Sequence, residues 1–221
     1  MQRFLPVIVL LHACATSRGF DRGAVGRELQ EGMQITDTTI AEALARRPQL
    51  PPRFRVGVFI RDVPAHQAGW RWSGEEKDQI VKAIAGLEEV GDAFLLSPMI
   101  AQGTDLKSLR LAAARHGADA LLVVTGAADV DRYSNPLVFS YVLVLPLLFI
   151  PASQAEALFL ARAAMWDVRN EFLYLTAEAE SVKKQVRPAA FIDERELVAD
   201  AKEETVRLLA REISHRLRES R

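Results

Sequence analysis

The side chains of this sequence that could carry out chemistry are few and widely spaced. None of its histidines has a second histidine or a cysteine three or four positions away, the spacing that a helical metal site needs. These histidines are His12, His66, His116 and His215. The pattern therefore predicts no metal site, and the position of His116 at the end of a predicted helix is explained by the helix dipole.

Motifs of catalysis and of cofactor binding are absent from the sequence. It contains no Gly-x-Ser-x-Gly motif, no phosphate-binding loop and no glycine-rich dinucleotide loop. Glu178 and Glu180 point the same way on a predicted strand, which is more typical of a solvated surface than of a catalytic pair. Trp70, Trp72 and Trp166 could stack on a ligand, but core or rim packing is the commoner role of such rings. We therefore expect a protein that is not an enzyme and that binds no cofactor.

Composition excludes a further class of function. With 28 Lys and Arg against 29 Asp and Glu, the formal net charge is -1. Because nucleic-acid binding depends on neutralising phosphates, a chain without a basic block is not expected to bind nucleic acid.

The first 13 residues have the pattern of a signal peptide. Arg3 supplies the positive charge, and residues 4–11 form an uncharged apolar stretch. Crossing a bilayer takes about 20 apolar residues, whereas the apolar region of a signal peptide has about 7–15. We therefore expect residues 1–13 to be a signal peptide and residues 14–35 to be a flexible tether. The alternative is a buried strand followed by a core thiol.

Leu11, Ala13 and Cys14 resemble the lipobox of bacterial lipoproteins, with His12 in its tolerant middle position. The resemblance implies that Cys14, the single cysteine, carries a diacylglycerol and an acylated amine such as a palmitoyl amide. Several acyl chains anchor a protein firmly, since each buried CH₂ contributes about 0.8 kcal/mol. Ala15 follows the cysteine, which implies an outer-membrane protein that faces the periplasm.

The periodicity after residue 35 predicts one domain, residues 36–221, with elements in the order α-β-α-β-α-β-β-β-α. The predicted strands are 54–62, 94–100, 118–130, 155–168 and 172–183. The predicted helices are 37–47, 74–90, 105–116 and 193–219. We expect the α+β class, with a mixed β-sheet of about five strands, helices packed on it and a long C-terminal amphipathic helix.

Helix starts are expected at Ser73, in a capping box with Glu76, at Asp105 and at Asp193. The apolar run within 118–130 predicts a central strand that is covered on both faces.

Further details of this prediction depend on single residues. The first helix has an apolar face with Ile40 and Leu44, and Leu111 is expected on the inward side of the third. Asn170 is expected to adopt positive φ in the turn of the last hairpin. Leu208 is expected in the buried stripe of the C-terminal helix, with Leu197, Ala201, Thr205, Ile213 and Leu217.

Residues 135–153 form an apolar insert between two predicted strands, and no charged residue lies between positions 137 and 150. Three interpretations remain open: a buried strand pair, an apolar loop that contacts a membrane or a partner, and a membrane-crossing hairpin. An exposed apolar patch of this size would mark an interaction site. The expected contact residues are Val138, Phe139, Tyr141, Val142, Leu147, Leu148, Phe149 and Ile150.

From about residue 54 to 218 the sequence is similar to a group of bacterial envelope lipoproteins. The resemblance rests on FRVGVFIRD, on LRLAAARHGADALLVVTGAADV and on AAMWDVRNEFLYLTAEAE. The group contains the curli-secretion channel lipoprotein, the penicillin-binding-protein activators and flagellar outer-membrane lipoproteins. The Thr-Asp-x-x-Ile pattern at Thr36 and the apolar tract also resemble rhombotarget lipoproteins.

This resemblance implies a lipid-anchored assembly or adaptor factor whose partner is the membrane and an envelope protein or a second copy of itself. The alternatives are a subunit of an oligomeric secretion pore and an envelope hydrolase with an unrecognised site.

Overall fold

The computed structural model describes residues 37–62, 70–101, 103–134, 153–187 and 193–219. Within these ranges the helices are α1 (Asp37–Ala45), α2 (Gly74–Ala85), α3 (Leu106–Arg115) and α4 (Glu194–Glu219). The strands are β1 (Phe54–Ile60), β2 (Val90–Leu95), β3 (Ala120–Ser134), β4 (Ser153–Asp167) and β5 (Leu173–Arg187). The element order is the predicted one. No described helix is both long enough and apolar enough to cross a bilayer.

The five strands form one mixed sheet in the order β2-β1-β3-β4-β5. β1 runs parallel to β2 and β3, whereas β4 runs antiparallel to β3 and β5. The helices α2 and α4 pack on one face, called here the inner face, and α3 packs on the other, the outer face. The predicted α+β class, five-stranded sheet and long C-terminal helix are confirmed.

The two central strands are covered on both faces. The apolar run of β3 predicted such a position, and Leu121 and Leu122, which face opposite ways, are both fully buried. The strand predicted over 54–62 is confirmed as β1, and every residue of β1 except Arg55 is buried. The reason is that β1 lies between two strands and under helices on both sides.

The boundary between α2 and β2 differs from the prediction. Ser73 and Glu76 form the expected capping box at the start of α2. The helix was expected to continue to Val90, but it ends at Ala85, and Gly86 caps it. Val90 instead begins β2, so the strand expected over 94–100 lies at Val90–Leu95. Apolar residues at 84, 87 and 90 are compatible with a helix that continues to Val90. They are equally compatible with a helix that ends before a turn and a new strand, so the predicted end of α2 was too late.

Two expected apolar helix faces are partly wrong. Ile40 and Leu44 of α1 are exposed rather than packed. Leu111 is 48% exposed, because it lies two residues, about 200° around the helix, from the buried Leu109. The predicted end of α3 is confirmed: Gly117 follows the helix with φ +70°.

The stripe of α4 follows a spacing of four residues, and its predicted members are buried except Leu208. Leu208 is only half-buried, and Leu209 takes the expected core position between Thr205 and Ile213. The Asp193 carboxylate accepts from the backbone N–H groups of Arg195 and Glu196, which confirms the predicted cap.

The hairpin of β4 and β5 is antiparallel as predicted, but Glu171 rather than Asn170 adopts positive φ, at 62°. Two arginines, Arg46 and Arg110, bind the Glu171 carboxylate, and these ion pairs offset the cost of the left-handed conformation. The Asn170 side chain instead donates to Arg47 O and accepts from Phe172 N.

Candidate functional site

A cleft of about 550 Å³ lies next to the part of the sheet that α3 covers, and Glu212 and Arg216 of α4 also line it. Its floor is apolar and consists of Val123 from β3, Ala164 and Trp166 from β4, and Leu106 and Leu109 from α3. Trp166 is half-buried here, so of the three tryptophans considered as ligand-stacking rings this one lines a cavity. An apolar concave surface with a few polar groups is the usual form of a binding site.

Charged side chains form the rim of the cleft. Arg61 donates through Nη2 to the backbone oxygen of Thr104 at 3.0 Å. Arg162 donates through Nε to Glu178 Oε2 at 2.6 Å, and the β4–β5 register places these two residues directly opposite each other. Glu178, considered as half of a carboxylate pair, is therefore one partner of a cross-strand ion pair.

The polar groups that line this cleft are hydroxyls and ion pairs. Three threonines are among its lining residues, and both of its carboxylates, Glu178 and Glu212, bind arginines. The hydrogen bond from Arg216 to Glu212 raises the pKa of that guanidinium.

A buried network fixes the end of the sheet where β4 turns into β5. Asp167 is completely buried and accepts from Tyr174 Oη at 2.8 Å and from Arg169 N at 2.8 Å. Arg169 also donates to Asp119 Oδ1 at 2.6 Å, and this hydrogen bond raises the pKa of the guanidinium. The other Asp119 oxygen accepts from Arg55 N at 3.0 Å, so the network joins β1, β3 and the hairpin.

The segment that leads into β1, residues 46–50, is held by hydrogen bonds and an ion pair at this same end of the sheet. The backbone N–H groups of Gln49 and Leu50 donate to Tyr174 Oη at 2.8 and 3.1 Å. Arg46 forms an ion pair with Glu171 at 3.2 Å. Burial raises the pKa of Tyr174, so its hydroxyl stays protonated and can donate while it accepts. The segment that precedes β1 is therefore held against the β4–β5 turn.

Two of the tryptophans belong to the core of the inner face. Trp70 and Trp72 pack edge-to-face with Phe159, with ring centroids 4.7 and 5.6 Å from it. The three rings close around Gly126, where a Cβ would lie 2.8 to 3.0 Å from all of them. The absence of a side chain at Gly126 therefore lets the three rings pack against β3.

One buried charge beside these rings, that of Lys202, was not predicted from the sequence. Lys202 donates to Arg71 O at 2.8 Å, pairs with Glu76 at 2.8 Å and lies 5.7 Å from the centre of the Trp70 ring. The one feature of the sequence that could have indicated a buried Lys202 is its place directly after Ala201, a member of the buried stripe of α4.

The two described histidines have local roles. His116 Nδ1 lies 3.0 Å from Ala112 O at the end of α3. His215 Nδ1 lies 3.4 Å from Glu219 Oε2 on the solvent-exposed side of α4. The described ranges contain no group of three or more side chains that could hold a metal ion. His12 and His66 lie outside these ranges.

The predicted lipid and contact residues also lie outside the described residues, so the structure leaves those predictions untested. They are Cys14, Val138, Phe139, Tyr141, Val142, Leu147, Leu148, Phe149 and Ile150.

Comparison with known proteins gives no family model that matches the chain and no matching curated protein. Similar solved structures include a hypothetical protein of Chlamydia trachomatis, with 10% identity and TM-score 0.45 over 75% of this chain and 98% of that one. A minor lipoprotein of Acinetobacter baumannii has 9% identity and TM-score 0.38 over 76% and 92%. A protein of Xanthomonas campestris has 13% identity and TM-score 0.33 over 76% and 86%. With TM-scores below 0.5, these likenesses assign neither a family nor a function to the chain.

Proposed function

We propose that this chain is a lipid-anchored protein of the bacterial envelope that binds another envelope component and carries out no catalysis. Cys14 is the proposed anchor, because Leu11 and Ala13 precede it in the lipobox arrangement. The apolar segment of residues 137–150 is the proposed contact surface. The periplasmic face of the outer membrane is the proposed location, since Ala15 follows the cysteine.

The observation that carries this proposal is the placement of the two ends of the sheet. Residues 46–50 are held at the β4–β5 turn, beside Tyr174. β3 and β4 stay in register from Ala120 opposite Asp167 to Ser134 opposite Ser153. At about 3.3 Å per residue these two positions are about 45 Å apart. The N-terminal chain therefore enters at one end of the sheet, and the apolar segment leaves from the other.

This separation suits an adaptor. An anchor that entered beside the contact surface would compete with a partner for the same space. Here the chain that leads from the proposed anchor and the proposed contact segment join the sheet at opposite ends, so both can be occupied together. The cleft beside α3 adds support, since an apolar floor with charged groups at its rim suits recognition.

The anchor is tested by labelling cells with a palmitate analogue and separating membrane from soluble fractions. The native chain should be labelled and should sediment with membranes, whereas Cys14→Ser should be unlabelled. A soluble, unlabelled native chain would contradict the proposal.

The contact surface is tested by placing a photo-crosslinking residue at Phe139 or Phe149 in intact cells. Both positions should form a discrete crosslinked product with an envelope component. Met99, which is 95% exposed and lies after β2, is the matched control and should give none. Equal crosslinking at Met99, or none at either phenylalanine, would remove the apolar segment from the proposal.

A further inference from the structure

Within the described residues, β5 has a neighbouring strand on one side only, since it ends the sheet order. It is 15 residues long and pairs with β4 along its length, whereas β2 at the opposite edge has six residues. The backbone N–H and C=O groups of an edge strand are a template for another strand. Long edge strands are therefore either protected or used for docking.

We propose that β5 pairs antiparallel with β5 of a second copy of this chain, with a twofold axis at Val182. The segment Glu180-Ser181-Val182-Lys183-Lys184 is self-complementary about its central residue. In this pair Val182 faces Val182 of the second copy. Glu180 of each copy faces Lys184 of the other, so the symmetry gives two such charge pairs. The inference concerns β5 alone and does not depend on the proposed anchor at Cys14.

The burial of Val182 supports this register. Val182 is 43% exposed, although Leu158, the residue of β4 that pairs with it, is only 1% exposed. Residues two apart share a face, so Glu180, Val182 and Lys184 all lie on the outer face of β5. Pairing Val182 with itself would continue the apolar row of Leu158 into the second copy and remove this side chain from water.

Charge supports the same register. On β4, Glu156 faces Lys184 and binds it at 2.9 Å. The proposed pairing places Glu180 of the second copy on the other side of Lys184, so the charges along this row alternate between negative, positive and negative. Oppositely charged side chains that face each other across two strands stabilise their pairing.

Neighbouring registers are less favourable. An axis at Ser181 would place Val182 opposite the charged Glu180. An axis at Glu180 or at Lys183 would place that residue opposite its own copy, and facing like charges destabilise a strand pair. The axis at Val182 is the one among these four that pairs the exposed apolar side chain with itself and opposes no like charges.

The register is tested with single cysteines in the full chain carrying Cys14→Ser. Under a mild oxidant Val182→Cys should form a disulfide-linked dimer, because the two copies of this residue face each other. Ser181→Cys is the matched control, and it should form no intermolecular disulfide because Ser181 faces Lys183 of the second copy. Crosslinking of Ser181→Cys without Val182→Cys, or of neither, would overturn the proposal.

A charge swap tests the dimer without a crosslink. Lys184→Glu and Glu180→Lys should each raise the dimer dissociation constant about tenfold or more in sedimentation of the detergent-solubilised full chain. The double variant should restore dimerisation, although it also lacks the Glu156–Lys184 pair within each copy. A native chain that stays monomeric at about 100 µM, or a double variant no better than the single ones, would refute the pairing.

Discussion

The Tyr174 hydroxyl donates to Asp167 Oδ2 at 2.8 Å while it accepts from the backbone N–H groups of Gln49 and Leu50. One phenol therefore uses its single hydrogen and both of its lone pairs. It satisfies a completely buried carboxylate and at the same time holds the chain that leads into β1. This relationship joins the core of the hairpin to the N-terminal entry of the domain.

Replacing Tyr174 with phenylalanine should lower the free energy of unfolding by about 1–3 kcal/mol, because it leaves Oδ2 of the buried Asp167 without its donor. It should also release residues 46–50, so trypsin should cut at Arg46 faster than in the native chain. Urea unfolding and timed proteolysis measure the two effects. Phe172→Leu, which changes the ring packed on Tyr174 but none of these hydrogen bonds, is the control. Unchanged cleavage at Arg46 in Tyr174→Phe would show that the hydroxyl does not hold the segment.

Gly126→Ala should destabilise the protein by about 1–3 kcal/mol, the usual cost of overfilling a packed core. The added Cβ would lie 2.8 Å from Trp72 and 2.9 Å from Phe159, and rigid rings cannot move aside cheaply. Tryptophan fluorescence during urea unfolding measures the loss. Gly74→Ala is the control, since no heavy atom lies within 4 Å of its added Cβ. Equal stability of the two variants would show that the rings can rearrange.

Lys202→Met should cost about 3 kcal/mol, because it leaves Glu76 as an uncompensated carboxylate in a largely buried place. Adding Glu76→Gln should recover part of that loss, since the glutamine oxygen can still accept from Ser73 N and carries no charge. Thermal and urea unfolding of the two variants measure the coupling.

A pair with a solvated carboxylate provides the comparison for this prediction. Lys77 binds Asp62 at 2.7 Å, and the Asp62 side chain is 47% exposed, so water solvates the carboxylate that remains and Lys77→Met should cost about 1 kcal/mol or less. If Lys202→Met were as mild as Lys77→Met, Lys202 would contribute no more than a lysine whose partner water can solvate.

Acid should weaken the start of α3. Hydrogen bonds from Ser108, first its hydroxyl and then its backbone N–H, hold the pKa of Asp105 below its ordinary value. A carboxylate with a lowered folded pKa stabilises the fold above its unfolded pKa, near about 4, and that contribution is lost as the pH falls through the folded pKa. Asp105→Asn keeps a good cap that does not titrate. The native chain should therefore lose stability relative to Asp105→Asn between about pH 5 and pH 2 in urea unfolding. Parallel stability curves for the two proteins would exclude this linkage.

Local signals in the sequence were enough for much of the fold. The apolar run of residues 120–124 in β3 predicted a strand covered on both faces, because it offers no polar residue to face water. Ser73, Asp105 and Asp193 marked helix starts correctly, since capping depends on residues within three positions. Gly117 marked the end of α3 for the same local reason.

The sequence by itself determined the class of the protein, the order of its elements and most of their ends, because hydrophobic period and capping act over a few residues. The sequence could not show that Val90 belongs to β2 or that Leu111 is exposed. Valine fits a helix or a strand and leucine can be buried or exposed, so residues distant in the sequence determine which of these occurs. Only the tertiary structure brought Arg162 opposite Glu178, closed three rings around Gly126 and joined Tyr174 to Asp167 and Gln49. These contacts link residues 7 to 125 positions apart, and no local pattern in the chain encodes which of many possible partners will meet.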